Sequence, residues 1–115
     1  MEQLNKVELV GVVGAVRKDR TGNNLTTHFS VATNYTYKDR EGQPVIETTW
    51  HAVRAFSGKD VNCLETLDPG ARVKVVGRLR NCRYTDNTGA DRTATEVYAT
   101  SLKILDVEPL EMQTP

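Results

Sequence analysis

Apolar and polar residues alternate with a period of two along most of this chain, in runs rich in Val and Thr. Such runs predict strands half buried against a core. Strand one is expected from Lys6 to Val16, interrupted by Gly11 and Gly14. Glycines inside a strand mark a bulge or a sharp bend, as a small closed barrel needs. Lys18 to Asn24 reads as a turn, Thr26 to Tyr37 as strand two, Lys38 to Pro44 as a polar hairpin loop, and Val45 to Phe56 as strand three. Val61, Leu64 and Leu67 recur at three-residue spacing and predict one short helix over Gly58 to Leu67. Asp68-Pro69-Gly70 stops it. Strand four follows from Arg72 to Tyr84, a turn from Asp86 to Gly89, and strand five from Arg92 to Leu105. One domain is expected over residues 1–105, with a short polar tail over 106–115.

Five strands with a single short helix between the third and fourth are the layout of an OB-fold barrel, an all-β class. Alternation sorts each strand into two faces. In strand four, Val73, Val75, Gly77 and Leu79 fall on the core side. Lys74, Val76, Arg78, Arg80, Cys82 and Tyr84 fall on the other, a basic stripe ending in a ring. In strand three, Trp50, Arg54 and Phe56 share a face with Ile46, Thr48 and Ala52, opposite His51, Val53 and Ala55. In strand two, Phe29 and Val31 point inward. Strict alternation would take Tyr35 and Tyr37 inward too, so a bulge near Thr33 or Asn34 is expected to reset the phase.

Formal net charge is zero, from 15 cationic and 15 anionic side chains. That argues against a generic polycation but not against a local basic face, because affinity follows the field at the site. Arg72 to Arg92 is such a stretch: six cations there oppose only Asp86 and Asp91. Cys63 and Cys82 form no CxxC pair and read as free thiols in a reducing compartment. The start, MEQLNKVELV, has no basic leader region, and the apolar run Val7 to Val16 is too short to span a bilayer. A soluble cytoplasmic protein with no membrane partner is expected. With two histidines and no His/Cys cluster, no metal or other cofactor is expected. GxSxG, GxxxxGK and GxGxxG motifs are absent, and no enzyme activity is expected.

Rings interleaved with cations remain. A flat ring beside a guanidinium can stack an unpaired base and hold its phosphate. Trp50, Arg54 and Phe56 with Lys74, Arg78, Arg80, Arg83 and Tyr84 are the candidate surface for single-stranded nucleic acid. Phe56 fits barrel packing as well as stacking, Tyr98 reads as packing or interface, and Phe29 as core.

The segments Asn5 to Gly11, Phe29 to Asn34, Thr49-Trp50-His51-Ala52-Val53, Val76-Gly77-Arg78-Leu79 and Tyr84-Thr85-Asp86, with Gly89, Arg92 and Glu96-Val97, together resemble the bacterial single-stranded DNA-binding protein (SSB) family. The similarity runs in family order from about Asn5 to Leu105. It implies an OB-fold that assembles as a homotetramer, a dimer remaining open, and coats single-stranded DNA in replication, recombination and repair, in the cytoplasm with the nucleoid. The family's stacking aromatics map onto Tyr37, Trp50, Phe56 and Tyr84, and His51 onto a subunit-interface position. The family's long linker and acidic Pro-Phe tip have no counterpart in Glu111-Met112-Gln113-Thr114-Pro115. That departure puts tail-mediated recruitment of replication proteins in doubt. A tailless primosomal OB-fold protein and a module that binds only protein are the rival readings.

Overall fold

The structure, a computed structural model, describes residues 2–22, 24–61 and 63–105. Its strands are β1 (Val7–Thr21), β2 (Asn24–Lys38), β3 (Pro44–Phe56), β4 (Arg72–Thr85) and β5 (Asp91–Ile104). They close into a barrel in the order β1-β2-β3-β5-β4. Every neighbouring pair is antiparallel except β3 with β5, which meet in parallel at Val53–Val97 and Arg54–Tyr98. This is the five-stranded architecture that the alternating pattern predicts.

Alternation fills the interior. Leu25, Thr27, Phe29 and Val31 of β2 are buried, and Val73 and Val75 of β4 meet them with Val13, Val53, Ala55, Val97 and Leu102. A large aliphatic or aromatic side chain so buried contributes about 1.5–3 kcal/mol. The bend in β1 comes where the glycines predict it. The β1–β2 register shifts between Val13 and Val16, across Gly14. Gly11 lies so close to the Ala32 carbonyl that a side chain there would collide with it.

Three local expectations are corrected. The helix contracts to a single 3-10 turn, Leu64–Thr66. Ahead of it, Gly58 and Val61 close a tight turn through reciprocal backbone bonds of 2.8 and 3.3 Å. Val61, Leu64 and Leu67 are still buried and belong to the barrel's core cluster. Their spacing therefore reported burial, while a segment this short, cut by Asp68-Pro69-Gly70, cannot recover the cost of nucleating an α-helix. The turn expected over Lys18 to Asn24 is instead mostly ladder, with Lys18, Asp19 and Arg20 paired to Thr27, Thr26 and Leu25. Gly22, at φ 61°, supplies the left-handed backbone that a tight hairpin needs.

The third correction concerns strand two. No bulge resets its phase: β2 and β3 pair without a shift from Thr26–Phe56 to Lys38–Pro44. Tyr35 and Tyr37 nevertheless stay exposed, because this ribbon runs on past the barrel and its inner face meets solvent. Leu79, assigned to the core by alternation, is exposed for the same reason on the β4–β5 ribbon. Both ribbons end in one kind of turn, Asp-x-x-Gly. Asp39 Oδ1 accepts from the Glu41 and Gln43 amides at 2.9 and 2.8 Å, and Asp86 Oδ1 from the Thr88 and Ala90 amides at 2.9 and 3.1 Å. Gly42 and Gly89 take positive φ in the matching place.

Candidate nucleic-acid interface

The outer barrel face is assembled by register. His28 of β2 lies opposite Arg54 of β3, Arg54 beside Tyr98 of β5, and Tyr98 opposite Arg78 of β4. Around Tyr98 the rings and cations converge. Phe56 packs against it edge-to-face, with centroids 5.3 Å apart. The guanidinium carbons of Arg78 and Arg80 stand 5.1 and 4.8 Å from its ring centre. Cation–π attraction of about 0.5–1 kcal/mol per pair at an exposed site holds both arginines in place. They leave their remaining N–H donors for an anion. Tyr98 is the residue that sequence reasoning missed. Its signal was parity: it shares the outer face of β5 with Glu96, between the buried Val97 and Ala99.

Arg54 is less free than its position on the stripe implies. Its Nε lies 3.2 Å from Glu96 Oε1, and its Nη2 3.8 Å from Cys82 Sγ. Both Nε and Oε1 are buried without a well-directed hydrogen bond, so the contact is an ion pair and not an aligned bridge. Arg54 therefore positions the cluster while Glu96 balances its charge.

Trp50 forms a second station on the same face of β3. It is 60% exposed. Its six-membered ring covers Gly14 beside Ser30, where no other residue type would leave room. Along β3, Trp50, Ala52, Arg54 and Phe56 follow one another at about 7 Å per step, so the two ring stations stand roughly 20 Å apart.

The other candidates lie apart from these stations. Tyr84 is exposed on the β4–β5 ribbon, on the Arg80 face and paired with Arg92. The turn beside it is tied by the Arg92–Asp86 ion pair at 2.7 Å. The Thr88 hydroxyl first, and then Arg92 and the turn amides, hold the Asp86 carboxyl well below the usual carboxylate range. Arg83 points to the opposite face of β4 and pairs with Thr93. Lys74 sits toward the far end of β4, between Val10 and Lys103. Tyr37 stacks on Tyr35, centroids 6.0 Å apart, on the ribbon face opposite Trp50. His51 shares that inner face, where its Nε2 lies 2.8 Å from Thr33 Oγ1. The structure thus joins Arg54, Phe56, Arg78 and Arg80 through Tyr98. It keeps Trp50 on the same surface and does not bring Tyr37, Lys74 or Arg83 to it.

A closed five-stranded barrel that presents Trp50 and Phe56 on one face, beside a half-buried Tyr98 covered by two guanidinia, is a candidate small β-barrel binding module. The comparisons make the class specific. The Single-strand binding protein family matches residues 4–105, and the chain belongs to that family. It is a family of binding proteins, not enzymes. A single-stranded DNA-binding protein of Xylella fastidiosa is 37% identical over 109 residues, covering 91% of this chain and 79% of its own length. One of Neisseria meningitidis is 35% identical over 104 residues, covering 89% of this chain and 60% of its own. The Plasmodium falciparum SSB, solved in complex with ssDNA, superposes with a TM-score of 0.75 at 26% identity, over 92% of this chain and 98% of that one. Among the described residues, no helix is long and apolar enough to cross a membrane.

Proposed function

We propose that this chain binds single-stranded DNA by stacking bases on Trp50 and Phe56, with Tyr37 and Tyr84 extending the path onto the two ribbons. Arg78 and Arg80 neutralise phosphates, Arg54 holds the cluster together, and Lys74 and Arg83 add positive field at its margins. The observation that carries this reading is the convergence of Phe56, Arg78 and Arg80 on Tyr98, on the outer face that also presents Trp50. Each stacked base is worth roughly 1–3 kcal/mol, and every base has a π-face, so most of the path is tolerant of sequence. Duplex bases are already stacked on one another and cannot use the rings. Coating of this kind protects exposed strands in replication, recombination and repair, at the nucleoid in the cytoplasm.

A homotetramer is part of the same reading. His51 and Thr33 lie on the ribbon face away from Trp50, and Val10 and Val12 leave an apolar strip on β1. The barrel end of that ribbon face, at His51 and Thr33, and the β1 strip are available to other subunits, while Tyr37, nearer the ribbon tip on the same face, stays with the DNA path. Light scattering is expected to give four times the chain mass. A dimer would favour a two-subunit primosomal protein instead. The function is tested with a labelled thymidine oligomer and a duplex of equal length, followed by anisotropy. Binding of the single strand alone is expected, and equal binding of both would contradict the proposal.

A further inference from the structure

Past the barrel wall the β2–β3 ribbon loses its neighbours. β1 pairs with β2 no further than Ala32, and β5 meets β3 only at Val53 and Arg54. From Thr33 and Thr49 outward the two strands pair with each other alone, as far as Lys38 and Pro44. This stretch has two open faces and two free edges. Alternation puts Trp50 and Ile46 on one face and Tyr35 and Tyr37 on the other. Tyr35 is 67% exposed, the most exposed ring among the described residues, and Tyr37 is 44% exposed.

The two tyrosines stand as a pair. Residues two apart on a strand have Cα atoms about 6.8 Å apart. The rings keep nearly that spacing, with centroids 6.0 Å apart and planes 29° from parallel. Attraction between rings at this distance holds each in orientation before any ligand arrives. Across the ribbon, Tyr37 pairs with Val45 and Tyr35 with Glu47. A carboxylate beside the outer ring repels phosphates, so a nucleic-acid strand approaching this face is turned to bring its bases inward. The bare face is two strands wide and five residues long, on the order of 200 Å² in plan, against about 800 Å² that each partner gives to a stable protein interface. It is too small to hold a second protein by itself, and it suits single rings.

We propose that Tyr35 is a further base-stacking residue, forming with Tyr37 a two-ring platform for a single strand that crosses the ribbon's free edge from the Trp50 face. The inference rests on the single-strand binding reading and deepens it. The platform supplies stacking without positive charge, in contrast to the Arg78 and Arg80 cluster at Tyr98. It also divides this face of the ribbon: subunit contacts end at Thr33, and the strand's path begins at Tyr35.

The test measures affinity for a labelled oligothymidine over a range of salt concentrations, for wild type, Tyr35→Ala, Tyr35→Phe, Tyr37→Ala and the double variant Tyr35→Ala/Tyr37→Ala. Tyr35→Ala is expected to weaken binding about five- to tenfold at every salt concentration, the lower end of what one stacked base supplies. The salt slope should stay at the wild-type value, because no cation is lost. Tyr35→Phe keeps the π-face and should bind as wild type does. The double variant should bind more weakly than Tyr37→Ala. Wild-type affinity in Tyr35→Ala overturns the inference while leaving single-strand binding by the other rings intact. Equal affinities in Tyr37→Ala and the double variant also overturn it, because Tyr35 then only props its neighbour. So does a change of particle mass in Tyr35→Ala by light scattering, which would give the ring to a contact between subunits. Failure of wild type to bind the oligomer at low salt would overturn the underlying reading as well.

Discussion

The ring of Trp50 occupies the space above Gly14: a Cβ built on that glycine would lie 2.5 Å from Cζ3 and 3.0 Å from Cη2. Gly14 has no positive φ, so it is the space and not the backbone that requires glycine here. The β1 bulge and the exposed tryptophan are therefore one feature.

Gly14→Ala should displace the ring. The emission of Trp50, the chain's single tryptophan, should change, and affinity for single strands should fall by up to the ~1–3 kcal/mol that one stacked base supplies. Wild-type emission and affinity in this variant would show that the ring does not depend on the glycine.

The cluster at Tyr98 separates charge from stacking. Arg80→Ala should lower the dependence of log affinity on log salt by about 0.7, the loss of one phosphate contact on a single strand. Tyr98→Val removes the ring that positions Arg78 and Arg80 and should also lower that slope, whereas Tyr98→Phe keeps the π-face and should restore it. Equal slopes in Tyr98→Val and wild type would leave Tyr98 with packing alone.

His28 couples the same face to pH. Burial first, then the guanidinia of Arg54 and Arg17, push its pKa below the ordinary 6.5, against smaller opposing effects of Glu96 and Asp19. The unfolded chain thus takes up this proton at a higher pH than the folded protein does. The stabilising contribution is complete above 6.5, and it declines as pH falls through that value until the folded ring protonates too. Thermal unfolding midpoints measured against pH should show the decline, and His28→Gln should flatten it. A profile unchanged by His28→Gln would assign the decline to other groups.

These outcomes depend on features of unequal visibility in the sequence. Val73 and Val75 against Arg78 and Arg80, and Val53 and Ala55 against Trp50 and Phe56, are legible because period-two alternation is a property of single strands. Tyr98 was not legible as part of the site. Its importance comes from lying opposite Arg78 and beside Arg54, which is barrel register across three strands. Tyr37 shows the converse. Its exposure needs no change of phase, since a ribbon that outruns the barrel exposes both faces. The helix expected over Gly58 to Leu67 is present only as the 3-10 turn Leu64–Thr66, because apolar spacing reports which side chains are buried, and a 3-10 turn buries them as well as a longer helix would.

Trp50→Ala should weaken binding by about 1–3 kcal/mol, a loss in stacking that carries no charge. It should therefore appear at every salt concentration and leave the salt slope near the wild-type value. A loss confined to low salt would assign Trp50 an indirect electrostatic role.

The most direct test of single-strand binding is titration of the wild-type protein with poly(dT) at low salt while following Trp50 fluorescence. Saturable quenching is expected, reversed by added salt and absent with duplex DNA. No quenching by poly(dT) at low salt would contradict it.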